Sequence, residues 1–155
     1  MTYLSLKAIH LLSMVLLFGT GLGSAWYKWM ADRSGNVHHI AETNRCVVIA
    51  DWVFTTPTVI LQPLTGMGMV MLMDLPLNTP WVLWSLVLYM IAGACWLPVV
   101  WLQIKMKRLA LLSRNNNTSL PDQYWVYARW WFYLGVPAFT AMVLIVCLMV
   151  FKVNG

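Results

Sequence analysis

Four long apolar runs alternate with polar segments along the chain of 155 residues. About 20 apolar residues in a helix cross the hydrocarbon core of a membrane, because each residue adds about 1.5 Å. Within lipid the backbone must satisfy its own hydrogen bonds, and these runs are too long and too evenly apolar for barrel strands. We therefore predict transmembrane helices at about residues 4–29, 46–73, 80–103 and 130–151.

Composition places the chain among integral membrane proteins. Hydrophobic residues make up 61% of it and charged residues 10%, against a charged share of roughly a quarter in soluble domains. No change of composition, internal repeat or flexible linker divides the sequence. The prediction is one all-α domain over residues 1–155, a four-helix transmembrane bundle in the lipid bilayer.

Basic residues are distributed unequally between the two ends of these helices. Lysine and arginine near membrane-spanning helices favour the cytoplasmic side. Only Lys7 and Lys152 flank the end that carries the termini, whereas eight basic residues flank the other end: Lys28, Arg33, Arg45, Lys105, Lys107, Arg108, Arg114 and Arg129. We expect an inner-membrane protein with both termini on the outer, periplasmic side. The net charge of +5 then reflects topology, and no nucleic-acid partner is required.

Two glycines of the first helix form a G-x-x-x-G step. Gly19 and Gly23 lie one turn apart, and small residues at this spacing let another helix approach closely. The partner helix belongs either to the same bundle or to a second subunit. We expect a homo-oligomer that associates through glycine-containing faces.

The second helix carries unusually many polar residues for a membrane span. Its prolines, Pro57 and Pro63, each remove a backbone donor and free a carbonyl one turn earlier. Such a helix should face protein or a cavity. The polar candidates on it are Asp51, Thr55, Thr56, Gln62 and Thr65. Asp51 and Thr55 are spaced for a local hydrogen bond, and an ion pair between Asp51 and Arg129 is the alternative.

A histidine inside the first helix has two interpretations. His10 is either hydrogen-bonded to a neighbouring helix, with Lys7 extending outward from the same face, or a ligand of haem iron or copper. A neutral imidazole suits either role because it adds no charge to the bilayer. Counting depth from the helix ends places His10 near Gln62 and Thr65, so we expect a polar pocket between the first two helices in the outer half of the membrane.

Nearly the whole chain resembles a known family. The stretches that carry the resemblance are KAIHLLSMVLLFGTGLGSAW, DWVFTTPTVILQPLTGMGMVM, GACWLPVVWLQIKM and GVPAFTAMVLIVCLMVFK. They are similar to small bacterial inner-membrane proteins classified only as a domain of unknown function. This resemblance implies the membrane fold and no particular chemistry.

A more distant resemblance connects the chain with membrane-bound protoporphyrinogen oxidases of the HemJ type, which are helical proteins associated with haem b. The shared features are K-A-x-H in the first helix and T-T-P in the second. The resemblance implies that His10 is the haem ligand and that Thr55, Thr56 and Pro57 form the matching kink. It does not extend to the third helix, because WVLWSLVLYM lacks the histidine and lysine found there in that family.

Membrane domains of the copper-resistance D type are also broadly similar. The stretch GMGMVMLM contains methionines, whose thioethers suit Cu(I), and helical spacing pairs Met67 with Met71. In a haem protein, Met67 or Met71 would be the candidate second axial ligand.

The functions left open are therefore a haem b or related tetrapyrrole protein with a redox role, a non-enzymatic structural or accessory subunit, and a copper-handling module. Whether the protein is an enzyme is also open.

Overall fold

The computed structural model describes residues 2–152, which are almost entirely helical and contain no strand. The elements are α1 (Tyr3–Ser34), α2 (Val37–Ala50), a π-helical turn (Asp51–Thr55), α3 (Thr56–Leu72), α4 (Pro80–Asn115) and α5 (Asp122–Phe151). Since α2, the π turn and α3 are continuous, the described chain has four long helical segments, each long and apolar enough to span a membrane. This confirms the predicted all-α membrane fold with four spans.

The helices extend beyond the predicted spans, most clearly between the first two. Residues 30–45 were expected to connect these helices, but only Gly35 and Asn36 lie outside them. Gly35 ends α1 with a φ of 65°, which glycine adopts without steric cost. The side chain of Asn36 then caps α2 by accepting hydrogen bonds from the backbone N–H groups of His38 and His39. The connection is therefore a tight helical hairpin.

The last two helices are also longer than the predicted spans. The third helix continues beyond the predicted end at residue 103, because α4 runs to Asn115. The fourth helix begins at Asp122 rather than near Trp130. Hydropathy marks the part of a helix that lipid covers, and a helix can continue into water with polar residues on its surface.

The chain forms two compact units. The first contains α1, α2, the π turn and α3, together with Lys107–Pro121. The second contains Pro76–Met106 and the C-terminal segment from Asp122. In the second unit α4 and α5 run antiparallel: the Trp101 and Tyr127 rings meet edge-on at 5.9 Å, and the Lys152 ammonium lies 5.9 Å from the centre of the Trp81 ring.

The π turn ends two residues before a proline. Because Pro57 has no N–H, the helix there lacks one hydrogen bond, and the Thr56 N–H bonds to Asp51 O, five residues back. The Thr56 hydroxyl also donates to Asp51 O at 2.9 Å. The Thr58 hydroxyl donates to Phe54 O at 2.8 Å. Threonine hydroxyls thus add side-chain hydrogen bonds to carbonyls of this turn.

Candidate functional site

The main polar contact of the first unit joins α1 to α3. His10 and Thr65 are 6% and 5% exposed, and the His10 Nδ1 lies 2.8 Å from the Thr65 hydroxyl oxygen. This is the interhelical hydrogen bond of the first interpretation of His10, and it leaves the ligand interpretation open.

A second contact holds the backbone around the histidine. The Gln62 Nε2 donates to His10 O at 2.9 Å and to the Ser13 hydroxyl at 2.7 Å. The Ser13 hydroxyl itself donates to His10 O at 3.0 Å. The structure therefore brings His10, Gln62 and Thr65 into one cluster. We call these three residues and Ser13 the α1–α3 clamp. Sequence analysis missed Ser13, although its position one turn after His10 was a signal.

Hydrogen-bond donors in the clamp indicate which ring nitrogen of His10 carries the proton. The Thr65 hydroxyl has one proton and directs it to Leu61 O at 2.6 Å, as helical threonines commonly do. Its oxygen can then only accept from the imidazole, so the proton of neutral His10 is on Nδ1. The lone pair is then on Nε2.

Two glycines of α3 allow α1 to approach at the clamp. A Cβ added to Gly66 would lie 3.4 Å from the His10 Cε1, and one added to Gly68 would lie 3.1 Å from the Leu6 Cδ1. Around Gly19 and Gly23, by contrast, an added Cβ would meet no described atom within 4 Å. Within the described chain, close helix approach therefore occurs at Gly66 and Gly68 and not at the G-x-x-x-G step.

The other candidate ligands are not brought to His10. Met71 is 68% exposed, and Met67 points about 200° away from Thr65 around α3 at 100° per residue. Lys7 is exposed and lies outside the clamp. The described residues also contain no group of three or more His, Cys, Asp or Glu side chains arranged to hold a metal ion.

The polar residues at the start of the second span form a separate group. The Thr55 hydroxyl donates to the Asp51 Oδ1 at 2.9 Å, which is the predicted local hydrogen bond. Asp51 and Thr55 are both buried, at 5% and 4% exposure. Asp51 and Gln62 are about 16 Å apart along the helix axis, so this group lies away from the clamp.

A buried ion pair near the end of α1 was not anticipated. The Lys28 ammonium lies 2.6 Å from an Asp32 carboxylate oxygen, and the two side chains are 1% and 16% exposed. The i, i+4 spacing of opposite charges was the available signal. What hydropathy could not show is that this turn of the helix is covered.

Nearly the whole described chain matches a known protein family. A family model described as "Predicted integral membrane protein (DUF2269)" matches residues 4–153. No curated protein and no solved structure matches the chain.

Proposed function

The chain belongs to the DUF2269 family of predicted integral membrane proteins, and we propose that it binds haem b or a related tetrapyrrole through His10. The observation that carries this proposal is the state of the imidazole. Thr65 accepts the Nδ1–H, which puts the lone pair of the ring on Nε2, the nitrogen that would ligate iron. Histidine ligands are typically oriented in this way, by a hydrogen bond from the ring nitrogen that does not bind the metal.

The residues of the clamp suit an axial haem ligand. Thr65 fixes the tautomer, and Gln62 with Ser13 fixes the backbone carbonyl of His10, so the ring is held on two helices. A neutral imidazole also adds no charge to the membrane interior. Met71 is exposed and Met67 points away from Thr65, so neither would hold the iron together with His10. A bound haem would supply one-electron redox chemistry at this position.

The alternative is a structural or accessory membrane subunit. In that case the α1–α3 clamp serves only to join helices, since polar side chains commonly bond across membrane helices.

A homo-oligomer formed through Gly19 and Gly23 agrees with either function, because both positions are open. We also propose the bacterial inner membrane as the location, with both termini outside. Copper handling has less support, because Met67 and Met71 do not converge with His10.

An absorption spectrum of the purified protein tests haem binding. We expect a Soret band, with reducible α and β bands, after expression with a haem precursor. His10→Ala should abolish it, and imidazole added to the His10→Ala protein should restore part of it by entering the vacated space. His38→Ala is the matched control because His38 is exposed on α2. A wild-type protein without tetrapyrrole would overturn the proposal and favour the structural alternative, and metal analysis of the same sample tests copper.

A further inference from the structure

Five basic residues of the first unit lie on the end of α1, on α2 and on the end of α4. The group, which we call the basic end, consists of Arg33, Arg45, Lys107, Arg108 and Arg114. The acidic side chains nearby in sequence are Asp32, which pairs with Lys28, and Glu42. The basic end therefore carries an excess of positive charge, and Glu42 forms ion pairs with two of its arginines.

Glu42 holds two of these arginines together. Its Oε1 accepts from the Arg45 Nη1 at 3.0 Å, and its Oε2 accepts from the Arg114 Nη1 at 3.1 Å. One carboxylate thus faces two guanidinium groups, which leaves one net positive charge. Each guanidinium has five N–H donors and uses one of them on Glu42, so both retain donors for a second anion.

Helix length places Arg45 at the level of lipid headgroups when Leu72 is taken as the opposite edge of the span. Arg45 is about 40 Å from Leu72 along the helix axis, and a bilayer with its headgroups is about 40–45 Å thick. An aromatic residue also indicates a headgroup level for this part of the chain. The Arg33 guanidinium lies 5.0 Å from the centre of the Trp29 ring, and tryptophans concentrate at membrane interfaces. The side chains also remain accessible, with Arg45 57% and Arg114 30% exposed.

We propose that Arg45 and Arg114, bridged by Glu42, bind the phosphate of an anionic phospholipid. Guanidinium groups match phosphate oxygens with paired hydrogen bonds, and the positions of Lys107 and Arg108 on the same helical extension add attraction for a headgroup of net negative charge. A zwitterionic lipid carries the same phosphate but brings its own cation, which the basic end repels. The site therefore selects anionic lipid, such as phosphatidylglycerol.

Thermal unfolding in a neutral detergent tests this site, with phosphatidylglycerol, phosphatidylcholine or inorganic phosphate added. We expect phosphatidylglycerol to raise the midpoint and the other two to leave it nearly unchanged. Arg45→Gln and Arg114→Gln should each reduce that rise at least twofold. Lys152→Gln, which removes one positive charge outside the basic end, should not reduce it. The proposal would be overturned if both lipids raised the unfolding midpoint equally. It would also be overturned if Lys152→Gln reduced the rise with phosphatidylglycerol as much as the arginine variants do.

A variant with the opposite expected effect separates binding from folding. Glu42→Gln removes the competing carboxylate and keeps the side-chain volume, so the rise with phosphatidylglycerol should increase. If the arginine variants do not fold, this variant decides: an unchanged or smaller rise contradicts the proposal. A rise with inorganic phosphate equal to that with phosphatidylglycerol would show a free-phosphate site and exclude the lipid. None of these measurements depends on haem.

Discussion

The imidazole Nδ1 of His10 lies 2.8 Å from the hydroxyl oxygen of Thr65, 55 positions later in the chain. This bond connects the first membrane span to the second within a segment that is otherwise mostly apolar. Because Thr65 gives its own proton to Leu61 O, the bond also determines the tautomer of the ring. The same pair of residues thus contributes to helix packing and to the proposed ligand chemistry.

Replacing Thr65 should destabilise the protein more than replacing another buried threonine of α3. Thr65→Val removes the acceptor of the His10 Nδ1–H, and we expect a loss of about 0.5–2 kcal/mol in the free energy of unfolding. Thr58→Val is the control, because the Thr58 hydroxyl bonds only to carbonyls of its own helical segment. Unfolding by a denaturing detergent in mixed micelles measures both, and equal losses would contradict an energetic role for the interhelical bond.

Gln62 and Ser13 should be energetically coupled. The Gln62 Nε2 donates to the Ser13 hydroxyl at 2.7 Å, so removing either partner removes the same bond. In a double-mutant cycle of Gln62→Leu and Ser13→Ala, we expect a coupling of about 0.5–1.5 kcal/mol. Ser24→Ala with Gln62→Leu is the control cycle, since Ser24 bonds to Gly21 O within α1, and its coupling should be near zero.

Removing only one charge of the buried Lys28–Asp32 ion pair should strongly destabilise the protein. Lys28→Met leaves a carboxylate that is only 16% exposed, and we expect a loss of about 3–5 kcal/mol or failure to accumulate in the membrane. Adding Asp32→Leu should recover much of this loss, because neither charge then remains. Protein yield and thermal stability of the two variants provide the comparison. If the double variant is no more stable than Lys28→Met, charge burial is not the cause.

Glycines on the open face of α1 should affect association and not the packing of α1 on α3. Gly19→Leu combined with Gly23→Leu adds bulk where no described atom lies within 4 Å, so the monomer should still fold. If this face forms the homo-oligomer, the mass measured by light scattering should fall to that of the monomer. Gly93→Leu is a control at another open helical glycine. An unchanged oligomer would exclude the G-x-x-x-G step as its interface.

The distribution of basic residues predicts the direction of the termini. A reporter active only outside the cytoplasm should give a signal when fused after Gly155, a residue outside the described part of the structure. The same reporter fused after Asn116, between α4 and α5, should be silent. The reverse pattern would overturn the proposed orientation. The Glu42–Arg114 bond agrees with the arrangement, since it requires both polar connections to lie at the same end.

The spans were predictable from the sequence because lipid imposes a minimum length of apolar helix. The hairpin at Gly35 was not, because its flanking residues are polar and hydropathy does not distinguish a solvated helix from a loop. In the candidate site, counting depth placed His10 near Gln62 and Thr65. The sequence could not predict that Met67 points away from His10, because this depends on which face of α3 meets α1. Gly66 and Gly68 set that face through their close contacts with α1.

The π turn at Asp51–Thr55 determines where the second span can lose a residue. It contains one residue more than an α-helical turn, so deleting Trp52 or Val53 can convert it to regular α-helix while the flanking helices keep their relative orientation. Deleting one residue between Thr58 and Gln62 instead rotates everything that follows by about 100° and moves Thr65 away from His10. Deletion of a single residue should therefore be tolerated at the π turn and not in α3.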